Sequence, residues 1–194
     1  MNLPNKLTLL RVFLIPFFLL FMYIDVPCHF LIALVIFAAA SITDALDGHI
    51  ARKNGLVTNF GKFLDPLADK VLVISALTVF VEMPEVKMGA VPLLIIIARE
   101  FMVSGLRLLA ADSGVVVAAG IWGKLKTAFT MVAIVATLFW LSLCNDFDFG
   151  FGKGFVSAVD KVCIPVLIWI SVALTIISGL VYLKGYWHLI DSDK

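Results

Sequence analysis

The sequence predicts an all-α, polytopic membrane protein with six transmembrane helices, and its composition and the spacing of its apolar residues lead to this fold class. Of its 194 residues, 62% are hydrophobic and only 15% are charged, and the mean hydropathy is +1.07. Such values are typical of integral membrane proteins. The apolar residues fall into six runs of about 20 residues, which is the length that a helix needs to cross a bilayer.

The six predicted spans follow one another with short connections. A brief segment at the membrane surface, Asn2–Lys6, precedes the first span. The spans are expected at about Leu7–Ile24, Phe30–Ala51, Leu64–Val81, Val91–Ala111, Thr127–Leu143 and Val162–Leu183. They use nearly the whole chain, so we expect residues 1–194 to form a single membrane domain.

The lysines and arginines indicate how the spans are oriented. They cluster near the N-terminus, between the second and third spans, and around the connection between the fourth and fifth: Lys6, Arg11, Arg52, Lys53, Lys62, Lys70, Arg107, Lys124 and Lys126. The opposite ends of the spans are acidic or balanced. Because cytoplasmic connections carry an excess of Lys and Arg, we expect both termini to be cytoplasmic. The formal net charge of +1 says nothing about partners.

Four aspartates stand out in this apolar chain. Asp44 and Asp47 lie three residues apart near the end of the second span, and Asp65 and Asp69 lie four residues apart at the start of the third. Each pair therefore shares one face of a helix. A connection of about ten residues with turn-forming Asn and Gly makes the two helices antiparallel neighbours. The four carboxylates are thus expected to face one another.

Carboxylates in a membrane must be compensated, since each costs about 2.5–3.5 kcal/mol near mid-bilayer. Four converging carboxylates suit two divalent cations, Mg²⁺ or Mn²⁺. Gly48 lets a ligand approach the helix backbone, and Arg52, one turn further along, can pair with a phosphate. A structural carboxylate–arginine network and the ion path of a transporter are the other interpretations. The interiors of the other spans lack the aspartates that a transporter path needs.

The aspartate segment resembles the signature of the CDP-alcohol phosphatidyltransferase family, D-x2-D-G-x2-A-R-x8-G-x3-D-x3-D. The matching positions are Asp44, Asp47, Gly48, Ala51, Arg52, Gly61, Asp65 and Asp69. The resemblance implies an enzyme with two Mg²⁺ or Mn²⁺ ions per active site that transfers a phosphatidyl group from a CDP-linked lipid to an alcohol and releases CMP. It also implies a homodimer. With the predicted orientation, it places a multi-pass protein in the bacterial inner membrane, with its active site on the cytoplasmic side.

The resemblance further implies roles for residues of the motif. The four aspartates are the expected metal ligands, and Asp69 is also the expected base on the acceptor hydroxyl. Gly48, Arg52 and Thr43 are expected to contact the CDP-lipid. A free aspartate has a pKa near 3.9 and is a weak base for an alcohol, so metal coordination and a water-poor site must supply the difference.

Three shorter stretches point to the acceptor alcohol. Residues Asn2–Arg11, Ala98–Glu100 with Ser104–Arg107, and Gly123–Thr127 look like the branch of this family that uses glycerol 3-phosphate and CDP-diacylglycerol to form phosphatidylglycerophosphate. Serine, an inositol phosphate or phosphatidylglycerol are the alternative acceptors. We expect membrane lipids as partners and no nucleic acid. Membrane prenyltransferases also use aspartate-rich sites, but they carry DDxxD-like pairs and lack the Gly-x2-Ala-Arg element.

A basic cluster on the cytoplasmic side suits an acceptor that carries a phosphate. Arg107, Lys124 and Lys126 are the residues expected to bind that phosphate, although Lys124 and Lys126 could be topology charges only. Arg99 and Glu100 are interpreted as an ion pair with neighbouring helices. Small residues that let helices approach predict a dimer interface on the third and fourth spans: Ser75, Ala76, Ser104 and Gly105.

Overall fold

The computed structural model describes the backbone of residues 3–54, 59–112, 120–147 and 152–187. Its helices are α1 (Leu3–Tyr23), α2 (His29–Asn54), α3 (Asn59–Glu82), α4 (Ala90–Asp112), α5 (Ile121–Leu141), α6 (Lys153–Ala158) and α7 (Ile164–Tyr186). No β-strand occurs in these four ranges, and the predicted all-α fold is confirmed.

Two of the long helical segments contain a π-helical turn. The turn Ser142–Asp146 extends α5, and the turn Val159–Cys163 joins α6 to α7. Within the described residues, three segments are long and apolar enough to cross a membrane: Asn5–Tyr23, Ile121–Asp146 and Gly154–Tyr186. The helices α3 and α4 are as long as the others but carry the charged residues of the site described below.

The helices pack through apolar side chains. Helix α1 lies along α2 and α3, α5 lies along α7 and α2, and α4 lies along α7. Phe18, Phe37, Leu72 and Ile134 are among the fully buried side chains of the core that these contacts form. Large apolar side chains also cover the outside of the bundle, and Phe13 and Leu108, for example, are exposed. Such an exterior suits a surrounding of lipid and not of water.

Hydrogen bonds join the helices at the end of the bundle remote from the aspartate motif. The Asp146 carboxylate accepts the N–H groups of Leu31 (2.7 Å) and Phe30 (3.4 Å) in the first turn of α2. A carboxylate at this position satisfies N–H groups that have no partner within the helix. The Tyr23 hydroxyl donates to Glu82 (2.6 Å), which joins the last residues of α1 and α3.

Helix α1 begins at Leu3 and runs without a break into the first predicted span. The position of Asn2–Lys6 at the membrane surface stays a prediction. One sequence-based boundary was wrong. The connection between α2 and α3 consists only of residues 55–58 and not of about ten residues. Helix α2 continues through Ala51, Arg52 and Lys53, which are all good helix formers. Helix α3 begins at Asn59, a residue type that favours helix N-termini.

Candidate functional site

A cavity of about 550 Å³ lies at the end of the bundle where α3 and α5 begin and α4 and α7 end. Its wall includes Asp69 from α3, Arg99 and Arg107 from α4, Lys124 from α5 and Tyr182 from α7. The antiparallel course of successive helices brings these residues together from four distant parts of the chain. The cavity therefore combines a carboxylate with several cations, as predicted for a site that binds an anionic acceptor.

The carboxylates of α3 lie one helical turn apart. Asp65 is partly buried, and its Oδ1 accepts a hydrogen bond from the hydroxyl of Thr8 in α1 (2.5 Å). Thr8 is itself buried, so α1 fixes the orientation of the Asp65 carboxylate. Asp69 lines the cavity. The two carboxylates thus share one face of α3, as the spacing predicts.

The predicted residues of α2 lie mostly outside the described side chains. The backbone of Asp44, Asp47, Gly48 and Arg52 is helical, but their side chains are not described. Their convergence on the α3 carboxylates therefore stays a prediction. Thr43 is described, and its hydroxyl donates to the carbonyl of Ala40 (2.7 Å). In this rotamer, Thr43 offers a ligand its oxygen as an acceptor.

The donor set of the site fits a hard divalent cation. Carboxylate oxygens are the ligands that Mg²⁺ prefers, and the Asp65 and Asp69 carboxylates belong to adjacent turns of one helix. Among the described side chains, no group of three or more His, Cys, Asp and Glu residues lies close enough to hold a metal ion. The remaining ligands predicted by the motif, Asp44 and Asp47, are on α2.

The predicted phosphate-binding cations fall into two groups. Arg107 and Lys124 line the large cavity. Lys126 is buried and forms an ion pair with Glu100. It lines a separate small space of about 30 Å³ together with Asp69 and Glu100. Lys126 is therefore close to the aspartate site, but a protein carboxylate already accompanies its charge.

The Arg99–Glu100 pair is more than the simple ion pair expected from the sequence. The Oε1 atom of Glu100 accepts hydrogen bonds from Nη1 of Arg99 (3.1 Å) and from the Lys126 ammonium. Arg99 also donates from Nη2 to the Ser178 hydroxyl of α7 (2.5 Å). This network links α4, α5 and α7 beside the cavity, and both arginine and glutamate form part of the cavity wall.

Sequence reasoning missed Thr8 and Tyr182 and did not assign Arg99 to the site. Thr8 could have been found from the helical spacing of Asn5, Thr8 and Arg11, which are all buried on one face of α1. Arg99 lies in a stretch that resembles relatives, but nothing in the sequence shows that its side chain points to a cavity. For Tyr182, an aromatic residue in an apolar span gives no distinguishing signal.

The sequence is similar to those of known proteins over nearly its whole length. A family model described as CDP-alcohol phosphatidyltransferase matches residues 1–177. A Bacillus subtilis protein is 39% identical over 205 residues, which cover 100% of this chain and 99% of the relative. A Rickettsia bellii protein is 40% identical over 184 residues, with 95% and 94% covered. A Haemophilus influenzae protein is 37% identical over 185 residues, with 94% and 92% covered.

All three relatives have the same name, CDP-diacylglycerol–glycerol-3-phosphate 3-phosphatidyltransferase. The matches extend over nearly the whole length of both partners in each comparison. They therefore include α1 and α4–α7 as well as the aspartate segment.

The buried ion pair predicts a difference between the two lysines of α5. Lys126→Ala should destabilise the protein by about 1–3 kcal/mol, because Glu100 loses one of its two charged partners in a buried place. Lys124→Ala is the matched control, since Lys124 is exposed. Thermal unfolding of both variants in the same detergent measures the effect. Equal unfolding temperatures for the two variants would contradict the role of the ion pair in stability.

Proposed function

The chain belongs to the CDP-alcohol phosphatidyltransferase family, and we propose that it transfers the phosphatidyl group of CDP-diacylglycerol to glycerol 3-phosphate in phospholipid biosynthesis. The products are phosphatidylglycerophosphate and CMP. The observation that carries this proposal is the full-length identity to relatives that have the name of this activity. A cavity that combines Asp69 with Arg107 and Lys124 supports it, because the acceptor has both a hydroxyl and a phosphate.

Enzymes of this family depend on divalent metal ions. In this chain, two Mg²⁺ or Mn²⁺ ions would be held by Asp44, Asp47, Asp65 and Asp69. When bound, such ions neutralise the diphosphate of the donor and the charge that develops as CMP leaves. Thr8 holds the Asp65 carboxylate in place through its hydrogen bond.

The chemistry of the transfer assigns a role to Asp69. The acceptor hydroxyl oxygen attacks the phosphorus of the phosphatidyl group, a new P–O bond forms, and the bond to the CMP oxygen breaks. The hydroxyl proton goes to a carboxylate oxygen of Asp69, which lines the cavity. A base must lie within hydrogen-bond reach of the proton that it takes, and the position of Asp69 in the cavity wall supports this role. Gly48, Arg52 and Thr43 are the proposed contacts to the CDP-lipid.

The acceptor phosphate is proposed to bind at the basic residues of the same cavity. The planar guanidinium of Arg107 can donate hydrogen bonds to two phosphate oxygens, and Lys124 adds a point charge. Lys126 lines the small space next to Asp69, where it is paired with Glu100, and it adds positive charge near the proposed phosphate site. Serine has one carboxylate and one ammonium group and therefore no net negative charge, so it matches this basic cluster less well than a phosphate does. The cluster therefore favours glycerol 3-phosphate over serine.

The position of the site also supports a cytoplasmic active site in a bacterial inner membrane. The cavity lies at the basic end of the bundle, where Lys124 is exposed. Both termini are proposed to lie on this side.

We also propose a homodimer, but Ala76 is fully buried in the core of this chain and cannot belong to its interface. Crosslinking in native membranes tests the dimer, and a purely monomeric result would argue against it.

The metal-site proposal predicts that Asp44→Asn, Asp47→Asn or Asp65→Asn removes most activity but leaves membrane insertion intact. An amide loses the ligand charge and is easier to bury than a carboxylate. EDTA should abolish activity, and Mg²⁺ or Mn²⁺ should restore it. CMP release is the measurement, and Asp25→Asn is the matched control because Asp25 lies at the other end of the bundle. Full turnover in EDTA would contradict the proposal.

The acceptor proposal predicts that Arg107→Ala weakens the use of glycerol 3-phosphate far more than the use of CDP-diacylglycerol. The expected loss is about 1.5–3 kcal/mol, the usual contribution of a hydrogen bond to a charged group. It corresponds to an increase of about 10- to 150-fold in KM for the acceptor if the contact is equal in ground and transition states. Arg107→Lys should recover only part of the loss, because the charge remains but the planar fork is lost.

Steady-state kinetics with each substrate varied in turn provides the measurement. Arg52→Ala is the reciprocal control, since it should act mainly on the CDP-lipid. An unchanged dependence on glycerol 3-phosphate in Arg107→Ala would mean that the basic cluster only determines topology.

A further inference from the structure

We propose that Tyr182 is a positioning residue that determines where the phosphate of the acceptor binds, by holding Arg107 and the first turn of α5 in one arrangement. This inference rests on the proposed function and extends it to a residue of α7 outside the aspartate motif. Tyr182 is buried, with 4% of its surface exposed, and forms part of the cavity wall.

The phenolic oxygen of Tyr182 connects three helices. It accepts the backbone N–H of Gly120 (3.0 Å), the N-cap residue of α5. It also accepts Nη2 of Arg107 in α4, at 3.4 Å. The N–H groups at the start of a helix have no partner within it, and Gly120 has no side chain that could serve its neighbours. The tyrosine hydroxyl therefore holds the start of α5 next to the end of α4.

The ring of Tyr182 contacts Arg107 by a second interaction and also contacts Arg99. The guanidinium carbons of Arg99 and Arg107 lie 5.4 Å and 5.9 Å from the ring centroid. A cation within about 6 Å of an aromatic ring is attracted by its quadrupole. The ring thus offsets part of the repulsion between two guanidinium groups in one cavity wall. Its hydroxyl can be removed without removal of this interaction.

Arg99 and Arg107 differ in how many of their N–H groups donate hydrogen bonds to described residues of the protein. Arg99 donates to Glu100 and to Ser178. Arg107 has one hydrogen bond among the described residues, the long one to Tyr182. A guanidinium has five N–H donors, so the described residues leave most of those of Arg107 unused. Arg107 is therefore the arginine that contacts the acceptor, and Tyr182 determines its direction.

Tyr182 also positions the lysine of the cavity. Gly120 and Lys124 belong to the same first turns of α5, and Lys124 lines the cavity. Gly123 packs against the tyrosine, and a Cβ atom on Gly123 would lie 3.4 Å from the phenolic oxygen. The first turn of α5 is therefore in direct contact with Tyr182. Loss of the hydroxyl should loosen both cations that face the acceptor phosphate.

The test is the substitution Tyr182→Phe, which removes the hydroxyl and keeps the ring. We expect KM for glycerol 3-phosphate to rise about 2- to 10-fold, the usual effect of one hydrogen bond. KM for CDP-diacylglycerol and kcat should each change less than about twofold. Tyr182→Leu removes the ring as well and should raise the acceptor KM further.

Tyr186→Phe is the matched control. Tyr186 stacks on Tyr182, with ring centroids 6.3 Å apart, but it does not line the cavity. Its loss of a hydroxyl should leave both KM values unchanged. Equal increases of both KM values in Tyr182→Phe would indicate a general structural role and would overturn the inference.

A double-mutant cycle with Arg107→Ala separates direct from indirect action. If Tyr182 acts through Arg107 and Lys124, Tyr182→Phe should raise the acceptor KM of Arg107→Ala less than that of the wild type, and should add less than about twofold when Arg107→Ala and Lys124→Ala are combined. Fully additive effects would overturn the inference. An unchanged acceptor KM in Tyr182→Phe, with an increased one in Arg107→Ala, would refute the role of Tyr182 and leave the proposed function intact. A wild-type enzyme that cannot use glycerol 3-phosphate would refute both.

Discussion

The need to give every charge in an apolar bundle a partner determines where the polar residues of this protein lie. Ionised groups in a membrane are costly unless they are paired or coordinate ligands. Glu100 accordingly lies between Arg99 and Lys126, and its carboxylate links α4 to α5. Arg99 and Glu100 belong to α4, and Lys126 belongs to α5. The ion pairs that compensate these charges therefore also hold the two helices together beside the cavity.

Close approach of the helices is the second condition for this arrangement. Gly179 lies where a Cβ atom would come within 3.3 Å of Cγ of Arg99 and within 3.2 Å of Cε of Met102. Such distances are shorter than ordinary van der Waals contact. The helices α4 and α7 can therefore pack this closely only where α7 has a glycine, which lacks a side chain. The close contact brings Arg99 within hydrogen-bond distance of Ser178. Packing and charge pairing at the α4–α7 contact thus depend on each other.

The sequence predicted the helical fold and the aspartate pair of α3 because both depend on local patterns. Apolar runs of sufficient length and carboxylates at helical spacing are visible without tertiary structure. The hydrogen bond from Thr8 to Asp65 joins residues that are 57 positions apart, and that between Arg107 and Tyr182 joins residues 75 positions apart. Such contacts depend on which helix faces lie together, and the hydropathy of nearly uniform apolar spans does not specify those faces.

Lys126 has a structural role in addition to the phosphate-binding role that the sequence predicts. Its position beside the cavity agrees with a basic site, but its burial requires the Glu100 carboxylate. A phosphate that approaches Lys126 therefore also meets the Glu100 carboxylate, whereas the one side-chain hydrogen bond of Arg107 to a described residue is to a neutral hydroxyl. A carboxylate next to a cation weakens the attraction of that cation for an anion. This contrast supports the proposal that the acceptor phosphate binds near Arg107 and Lys124.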